Sequence, residues 1–307
     1  MTRGRRVLLG LAVALGCLVA GARGAEPARP NVLLILVDDL RPALGCYGDP
    51  LARTPNIDRL AAGGRAFLAA YCQQAVCGPS RASLLSGLRP DSTRVWHNRH
   101  VLRERVPDVV TLPGLFKEAG YHTEGLGKVF SGDADEDDPP SWSVPATLRG
   151  PGWRTYAARG KGQGKGPPTE AADADDEAYA DGRLASAAID ALGRLGDRPF
   201  FLAVGFFRPH LPFAAPRRYW ELHDPRAFAA DPRPRTTGAP EAAWPDHREL
   251  AGYAGMPRDE RPAPEEVRRL RHGYHACVSF VDAQVGRLLD ALEALELSER
   301  TIVVLAG

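Results

Sequence analysis

The apolar positions along the chain form three unbroken runs. The first, NVLLILV, follows Pro30 and is followed by two aspartates. The others lie within RPFFLAVGFFRP, from Arg198 to Pro209, and RTIVVLAG, from Arg300 to Gly307. Runs without polar alternation are typical of strands that are buried on both faces of a parallel sheet. Because they alternate with helical segments, the pattern predicts an α/β fold with a largely parallel central sheet flanked by helices.

Caps and stop signals mark the helices. TPNIDRLAAGG begins at Thr54 and TLPGLFKEAG begins at Thr111, and each has a proline in its first turn and a glycine at its end. The spacing of apolar residues predicts longer helices over residues 177–195 and 264–295. Cys277, in the last of these, is expected to be a buried core residue.

Three polar segments interrupt this pattern. Residues 131–140 are acidic, residues 158–177 are rich in glycine and lysine and then acidic, and residues 214–264 are rich in proline and arginine. Such compositions are typical of surface loops. We expect the last segment to shape the rim of a pocket.

The overall composition is that of a globular protein without a strongly charged surface. The 307 residues are 44% hydrophobic and 25% charged, which is enough to bury a sizeable core. The formal net charge is +1, so neither nucleic acid nor a membrane surface is an expected partner. Any selectivity for anions must therefore be local.

The N-terminus has the features of a secretory signal. A basic start precedes an apolar run from Val7 to Ala20, and small residues follow it. We predict a signal peptide over residues 1–25 and an exported protein, located in the periplasm, outside the cell or in a lysosome-like compartment. The alternatives are a membrane anchor, for which the run is short, and a lipid anchor at Cys17. No later segment is apolar enough to span a membrane.

Chemistry-bearing side chains follow the predicted strands, where open α/β sheets bind their ligands. Asp38 and Asp39 come directly after the first run, and adjacent carboxylates suit a hard divalent cation. Arg208 and His210 follow the second run, and Lys128 lies in GLGKVF. Each residue alone would be an ordinary solvated or structural side chain. Together they supply carboxylates for a metal and cations for an anionic substrate.

Cys77 lies at the predicted start of a helix, in CGPSR. The backbone N–H groups and the dipole at such a position favour an anion. An activated thiolate nucleophile supported by Arg81 is the direct interpretation. The usual base is not evident, however, and oxygen-rich metal ligands suit a thiolate poorly.

CGPSR matches the Cys-x-Pro-x-Arg signature of type I sulfatases, and SLLSGLRP matches its continuation. The segments NVLLILVDDLRPALGCYG, LPGLFKEAGYHTEGLGKVF and FFLAVGFFRPHLPF resemble those of iduronate 2-sulfatase and its bacterial relatives in particular. This resemblance implies an alkaline-phosphatase-like sulfatase core that is incomplete at its C-terminal end. Residues 26–307 would form the N-terminal catalytic domain, without the C-terminal part and the small C-terminal domain of the family.

The resemblance also implies a mechanism, the hydrolysis of a sulfate ester on a sulfated carbohydrate such as a glycosaminoglycan unit. A formylglycine-generating or other sulfatase-maturation enzyme would oxidise Cys77 to formylglycine, an aldehyde. Its hydrate, a geminal diol held on a calcium ion, would attack sulfur, and its second hydroxyl would then help to expel sulfate. Removing Cys77 from the thiols leaves at most one disulfide among Cys46, Cys72 and Cys277.

In the same resemblance the remaining site residues take separate roles. Asp38 and Asp39 would bind calcium together with the modified Cys77. Arg81 would act catalytically by steadying the formylglycine. Lys128 and His210 would be catalytic residues that contact the sulfate.

Two features depart from the family pattern. Ser131 stands where the family usually has a histidine, and a serine cannot supply a proton near neutral pH as an imidazole can. His122 or His100 could replace it. The sequence ends at Gly307, where the family continues into further metal ligands, so the calcium site would lack part of its usual oxygens.

These departures leave two alternatives open. One is a catalytically inactive remnant or sulfate-ester binding module, and the other is a related phosphonate or phosphodiester hydrolase that shares the logic of metal and nucleophile. The substrate is equally open. Four arginines in the proline-rich segment, either solvated or in contact with substrate anions, are Arg217, Arg218, Arg233 and Arg235.

Overall fold

A computed structural model gives the arrangement of most of the chain. The described residues are 29–131, 138–149, 152–154, 156–157, 165–196, 198–230, 237–240, 243, 249–258 and 261–307. Residues Asn31–Gly307 form a compact unit. The predicted signal peptide, including Cys17, lies outside the described residues. Within the described ranges, no helix has the length and apolar character needed to cross a membrane.

Six strands are present in the described residues. In chain order they are β1 (Asn31–Val37), β2 (His122–Gly127), β3 (Thr169–Ala172), β4 (Phe200–Phe206), β5 (Phe213–Pro216) and β6 (Thr301–Ala306). The central sheet has the order β2–β4–β1–β6, with every neighbouring pair parallel. Strands β3 and β5 form a separate parallel pair. The predicted parallel α/β architecture is therefore confirmed.

The helices flank the sheet. In chain order they are α1 (Pro55–Ala62), α2 (Cys77–Ser86), α3 (Pro90–Thr93), α4 (Leu102–Arg105), α5 (Leu112–Glu118), α6 (Ala180–Leu195), α7 (Arg217–Trp220) and α8 (Pro264–Ala294). The four helices predicted from caps and apolar spacing are all present, as α1, α5, α6 and α8. Helix α2 begins at Cys77 itself, as the sequence predicts.

Strand β1 shows why the apolar runs have no polar alternation. Leu33 and Ile35 pack into a core that includes residues of α6 and α8. Leu34 and Leu36, on the opposite face, pack into a second core with residues of α2. Both faces of the strand are covered, so each of these side chains contributes roughly 1.5–3 kcal/mol by leaving water. The carboxyl end of β1 is thereby held in the middle of the sheet.

The prediction of irregular loops is wrong in two places. Strand β3 lies in the segment 158–177, and β5 continues into α7 within the segment 214–264. Ala214 and Ala215 are fully buried with Trp220 and Cys277 in a third core against α8. These alanines are buried against α8. Because they are small, the sequence around them shows only a weak apolar pattern. Cys277 is a buried core residue, as predicted.

Candidate active site

Asp38, directly after β1, lies at the centre of the site. Its side chain is 3% exposed and carries two ion pairs. Lys128 Nζ contacts one carboxylate oxygen, and Arg81 donates to the other at 3.2 Å. Burial alone would raise the pKa of Asp38, but the neighbouring cations, chiefly Lys128 and Arg81, outweigh it and hold this pKa below its ordinary value. Asp38 is therefore a buried, ionised carboxylate.

Arg81 connects α2 to the ends of two strands. It lies one turn after Cys77, so the two side chains are on the same side of the helix. Besides Asp38, its guanidinium donates to the backbone carbonyls of Lys128 and Val129, the latter at 3.1 Å. Arg81 is buried, and these three acceptors fix its orientation. The nucleophile candidate and the carboxylate of β1 thus share one buried cation.

Two glycines place Lys128 at the end of β2. The Lys128 N–H donates to the Gly205 carbonyl of β4 at 2.8 Å. A side-chain carbon at Gly205 would lie 1.9 Å from the Lys128 carbonyl oxygen, so only glycine permits this approach. Gly127 has φ +71°, which favours glycine as well. Gly127 and Gly205 therefore bring the lysine against the sheet beside Asp38.

The start of α2 is capped from another part of the chain. Val76 precedes the helix and provides no side-chain cap. Instead, Asn98, in the loop between α3 and α4, accepts the Gly78 N–H at 2.8 Å. The same oxygen lies 3.4 Å from Cys77 Sγ. Gly78 is required here, because a side-chain carbon would lie 2.8 Å from the Asn98 oxygen. Sequence reasoning missed Asn98.

Asp39 continues the acidic pair in a different environment. Its backbone has φ 57°, a left-handed conformation that aspartate tolerates better than most residues. Tyr274 of α8 holds the loop by donating to the Asp39 carbonyl at 2.9 Å and accepting the Arg41 N–H at 2.9 Å. Partial burial and repulsion by Asp38 raise the pKa of the Asp39 carboxyl. Because 55% of this side chain is exposed, we attribute the rise chiefly to the repulsion.

His210 follows β4 and approaches Asp39 from the other side. Its Nε2 lies 3.9 Å from an Asp39 carboxylate oxygen and 3.7 Å from Glu249. Its Nδ1 is 2.6 Å from the Leu211 carbonyl oxygen, so the proton of the neutral ring is on Nδ1. The side chain is 11% exposed. The imidazole Nε2 is thus turned toward the charged side chains at the end of the sheet.

Arg208, an expected substrate cation, serves the fold instead. It is 1% exposed, and its Nε donates to the Ala214 carbonyl at 2.9 Å. A side chain so fully enclosed cannot contact a substrate, so this part of the prediction is wrong. Arg218 contacts Asp176 and stacks on the Tyr219 ring, and Arg217 is exposed.

Arg233 and Arg235 lie outside the described residues. Ser131 lies at the end of a described range and is buried. His122 begins β2, at the opposite end of that strand from Lys128, so it cannot replace the missing histidine. His100 accepts the Trp96 N–H in the loop that carries Asn98.

The predicted metal site contains oxygen donors, but fewer than a calcium ion needs. Asp38 and Asp39 are hard carboxylate ligands of the kind that calcium prefers. No group of three or more potential metal-binding side chains is found among the residues that the structure describes. The cysteines Cys46, Cys72, Cys77 and Cys277 are free.

The chain is similar to known proteins over most of its length. The Sulfatase family profile matches residues 30–307. The chain is 38% identical to iduronate 2-sulfatase of Homo sapiens over 329 aligned residues, which cover 98% of this chain and 59% of that protein. The chain thus spans less than two thirds of that relative's length.

Solved structures share the fold. The phosphonate monoester hydrolase of Agrobacterium radiobacter superposes with a TM-score of 0.70 at 25% identity, covering 90% of this chain and 62% of that one. A structure in complex with its substrate D-glucosamine-2-N,6-O-disulfate gives a TM-score of 0.66 at 23% identity, covering 90% and 65%. With the family profile matched from residue 30 to the end of the chain, this protein belongs to the sulfatase family.

Proposed function

We propose that this chain is the catalytic part of a sulfuric ester hydrolase that removes sulfate from a sulfated sugar, a uronate or another polysaccharide unit. The nucleophile is Cys77 after its conversion to formylglycine by a maturation enzyme. The observation that carries the proposal is that Arg81 and Lys128 both contact Asp38. Arg81 lies one helical turn after Cys77. The 38% identity to a protein that acts on iduronate supports a uronate substrate.

Each residue has a role that its contacts support. Arg81 holds the turn that carries residue 77 against the end of β1, and its charge stabilises an anion there. Lys128 supplies a cation for the sulfate group, and His210, when doubly protonated, would donate to it from Nε2 while Nδ1 stays bonded to the Leu211 carbonyl. Asn98, 3.4 Å from Sγ of Cys77, positions the side chain of the nucleophile.

The site supplies the type of ligand that calcium prefers, but only part of the number that calcium needs. Asp38 and Asp39 would hold it together with the oxygens of the modified residue 77, although an ion that takes six to eight oxygens needs further ligands. When bound, calcium would supply positive charge beside the transferring sulfate. Lys128, which contacts Asp38 here, would then be free to turn toward the substrate.

The test is sulfate release from a 2-O-sulfated uronate glycoside. The protein should be produced together with a formylglycine-generating enzyme. We expect Cys77→Ala to lower kcat/KM by at least about a thousandfold, because the nucleophile is lost. Cys72→Ala, at an exposed free cysteine, is the matched control and should be unchanged. Full turnover by Cys77→Ala would refute the mechanism.

A second function has a specific observation in its favour. The phosphonate monoester hydrolase superposes on this chain with the TM-score of 0.70 given above. The ratio of kcat/KM for a phosphonate monoester to that for a sulfate ester decides between the two activities. A ratio above one favours the phosphonate hydrolase. Binding of the sulfate ester without hydrolysis of either ester would identify a binding module.

A further inference from the structure

An ion pair between Glu249 and Lys165 lies beside His210. Glu249 Oε1 is 3.7 Å from His210 Nε2 and 3.4 Å from Lys165 Nζ. Lys165 and Glu249 are 84 residues apart in sequence, and we call them the rim pair. No pattern in the sequence connects them, so sequence reasoning missed both residues.

The segments that carry the rim pair are held together locally. The Ala254 N–H donates to the Gly166 carbonyl at 2.9 Å. The Lys165 ammonium lies 4.7 Å from the centre of the Tyr253 ring, a cation–π contact. Tyr253 is itself 3% exposed and provides a fixed aromatic base. The rim pair is therefore positioned by backbone and aromatic contacts rather than by chance encounter of two long side chains.

The rim pair also faces solvent. The Lys165 side chain is 31% exposed and that of Glu249 is 43% exposed, against 11% for His210. The contacts of Glu249 with Lys165 and with His210 both involve its Oε1. Its Oε2 accepts no hydrogen bond from any residue in the described part of the chain. An acceptor oxygen thus remains available next to the imidazole.

We propose that the rim pair binds a hydroxyl group of the sugar ring adjacent to the sulfate ester. This inference rests on the proposed function, in which His210 contacts the sulfate. A carboxylate accepts hydrogen bonds from hydroxyl groups and an ammonium donates them. Because Lys165 balances the charge of Glu249, the pair repels an anionic sulfate less than a lone carboxylate would. The rim pair therefore selects sulfated sugars over sulfate esters that lack a neighbouring hydroxyl.

The test is a binding measurement that does not depend on turnover. The Cys77→Ala chain is titrated calorimetrically with a methyl 2-O-sulfo-uronoside and with its 3-deoxy analogue, which lacks the adjacent hydroxyl. We expect the deoxy compound to bind about tenfold to a hundredfold more weakly, the usual effect of one hydrogen bond to a charged group. Adding Glu249→Ala should weaken the hydroxyl compound by a similar factor and leave the deoxy compound unchanged.

Two controls keep the result interpretable. Glu265→Ala removes a comparable glutamate whose side chain is 82% exposed and pairs with Arg268, and it should change neither affinity. Glu249→Gln keeps the shape and serves if the alanine variant does not fold, with a smaller loss confined to the hydroxyl compound. Equal affinities of the two compounds, or equal losses for both in the Glu249 variants, would overturn the proposal. Absence of sulfate release by the matured chain would instead refute the proposed function. The difference in affinity between the hydroxyl and deoxy compounds would still stand.

Discussion

Asp38 and Asp181 are the same residue type, are equally buried and lie near the same edge of the sheet, yet their pKa values move in opposite directions. Asp38 follows β1 and is 3% exposed, and Asp181, in the first turn of α6, is 1% exposed. The Asp181 carboxylate accepts the Phe207 N–H, directly after β4, at 2.6 Å. The pKa of Asp38 is lowered, whereas burial raises that of Asp181 to about 6.

The difference lies in the charges that face each carboxylate. Asp38 contacts two cations, Lys128 and Arg81, whereas the contacts of Asp181 are chiefly backbone N–H groups. Arg208 and those N–H groups favour the charged form of Asp181 but do not outweigh its burial. Burial alone therefore does not distinguish the candidate site aspartate from Asp181, and the cations in contact with Asp38 do.

The largest expected effect is that of Asp38→Asn on catalysis. Loss of the carboxylate leaves Lys128 and Arg81 without their partner and removes a ligand of the proposed calcium site, so we expect kcat/KM to fall by at least about a thousandfold. Asp290→Asn, at an exposed aspartate paired with Arg59, is the matched control and should be unchanged. Steady-state kinetics on a sulfate ester measures both. A loss of less than tenfold in Asp38→Asn would contradict a catalytic role for Asp38.

Asp181 should govern stability rather than catalysis, in a defined pH window. Its folded pKa of about 6 lies above the value of about 3.9 in an unfolded chain, so the folded state holds the proton more tightly. This contribution is full below about pH 4 and is lost as pH rises through 6. The difference in unfolding free energy between wild type and Asp181→Asn should thus fall by about 2 kcal/mol from pH 4 to 7.

Urea unfolding at a series of pH values measures this difference. Asp290→Asn serves again as the control, because its carboxylate is exposed. A difference between wild type and Asp181→Asn that stays constant with pH would show that Asp181 does not titrate in this range.

The smallest expected effect is that of Asn98→Ala, which shows whether the start of α2 belongs with the functional or the structural region. Loss of the cap on the Gly78 N–H should cost about 1 kcal/mol of stability. If Asn98 also positions residue 77, kcat/KM should fall by about tenfold. Gly78→Ala should lower kcat/KM similarly, because its side chain would collide with Asn98. Unchanged kcat/KM in a destabilised Asn98→Ala would make the cap purely structural.

The sequence predicts the central part of the fold and misses its margins for physical reasons. Strands β1, β4 and β6 are recognisable because both faces are apolar or nearly so. Strand β2 has the sequence HTEGLG, in which Leu126 is the single large apolar residue. Gly125 makes room for the Trp142 ring, Gly127 lies against the Gly205 carbonyl, and Glu124 is buried against Arg194. These are tertiary demands, which a pattern of hydrophobicity does not record.

The candidate site divides in the same way. The motifs identify Cys77, Asp38 and Lys128, and the structure brings Arg81 and Lys128 into contact with Asp38. The roles of these residues stay predictions. Asn98 and the rim pair carry no motif, because their meaning depends on contacts between segments that are distant in sequence. Arg208 resembles a site residue in sequence, and only its burial distinguishes it.

Mass spectrometry of the peptide that contains Cys77 is the most direct test of the proposed conversion of Cys77 to formylglycine. The protein is produced with a formylglycine-generating enzyme, and the same preparation is assayed for sulfate release. We expect residue 77 to carry an aldehyde in place of the thiol, and sulfate release to scale with the converted fraction. An unmodified thiol in a preparation that hydrolyses sulfate esters would contradict this expectation.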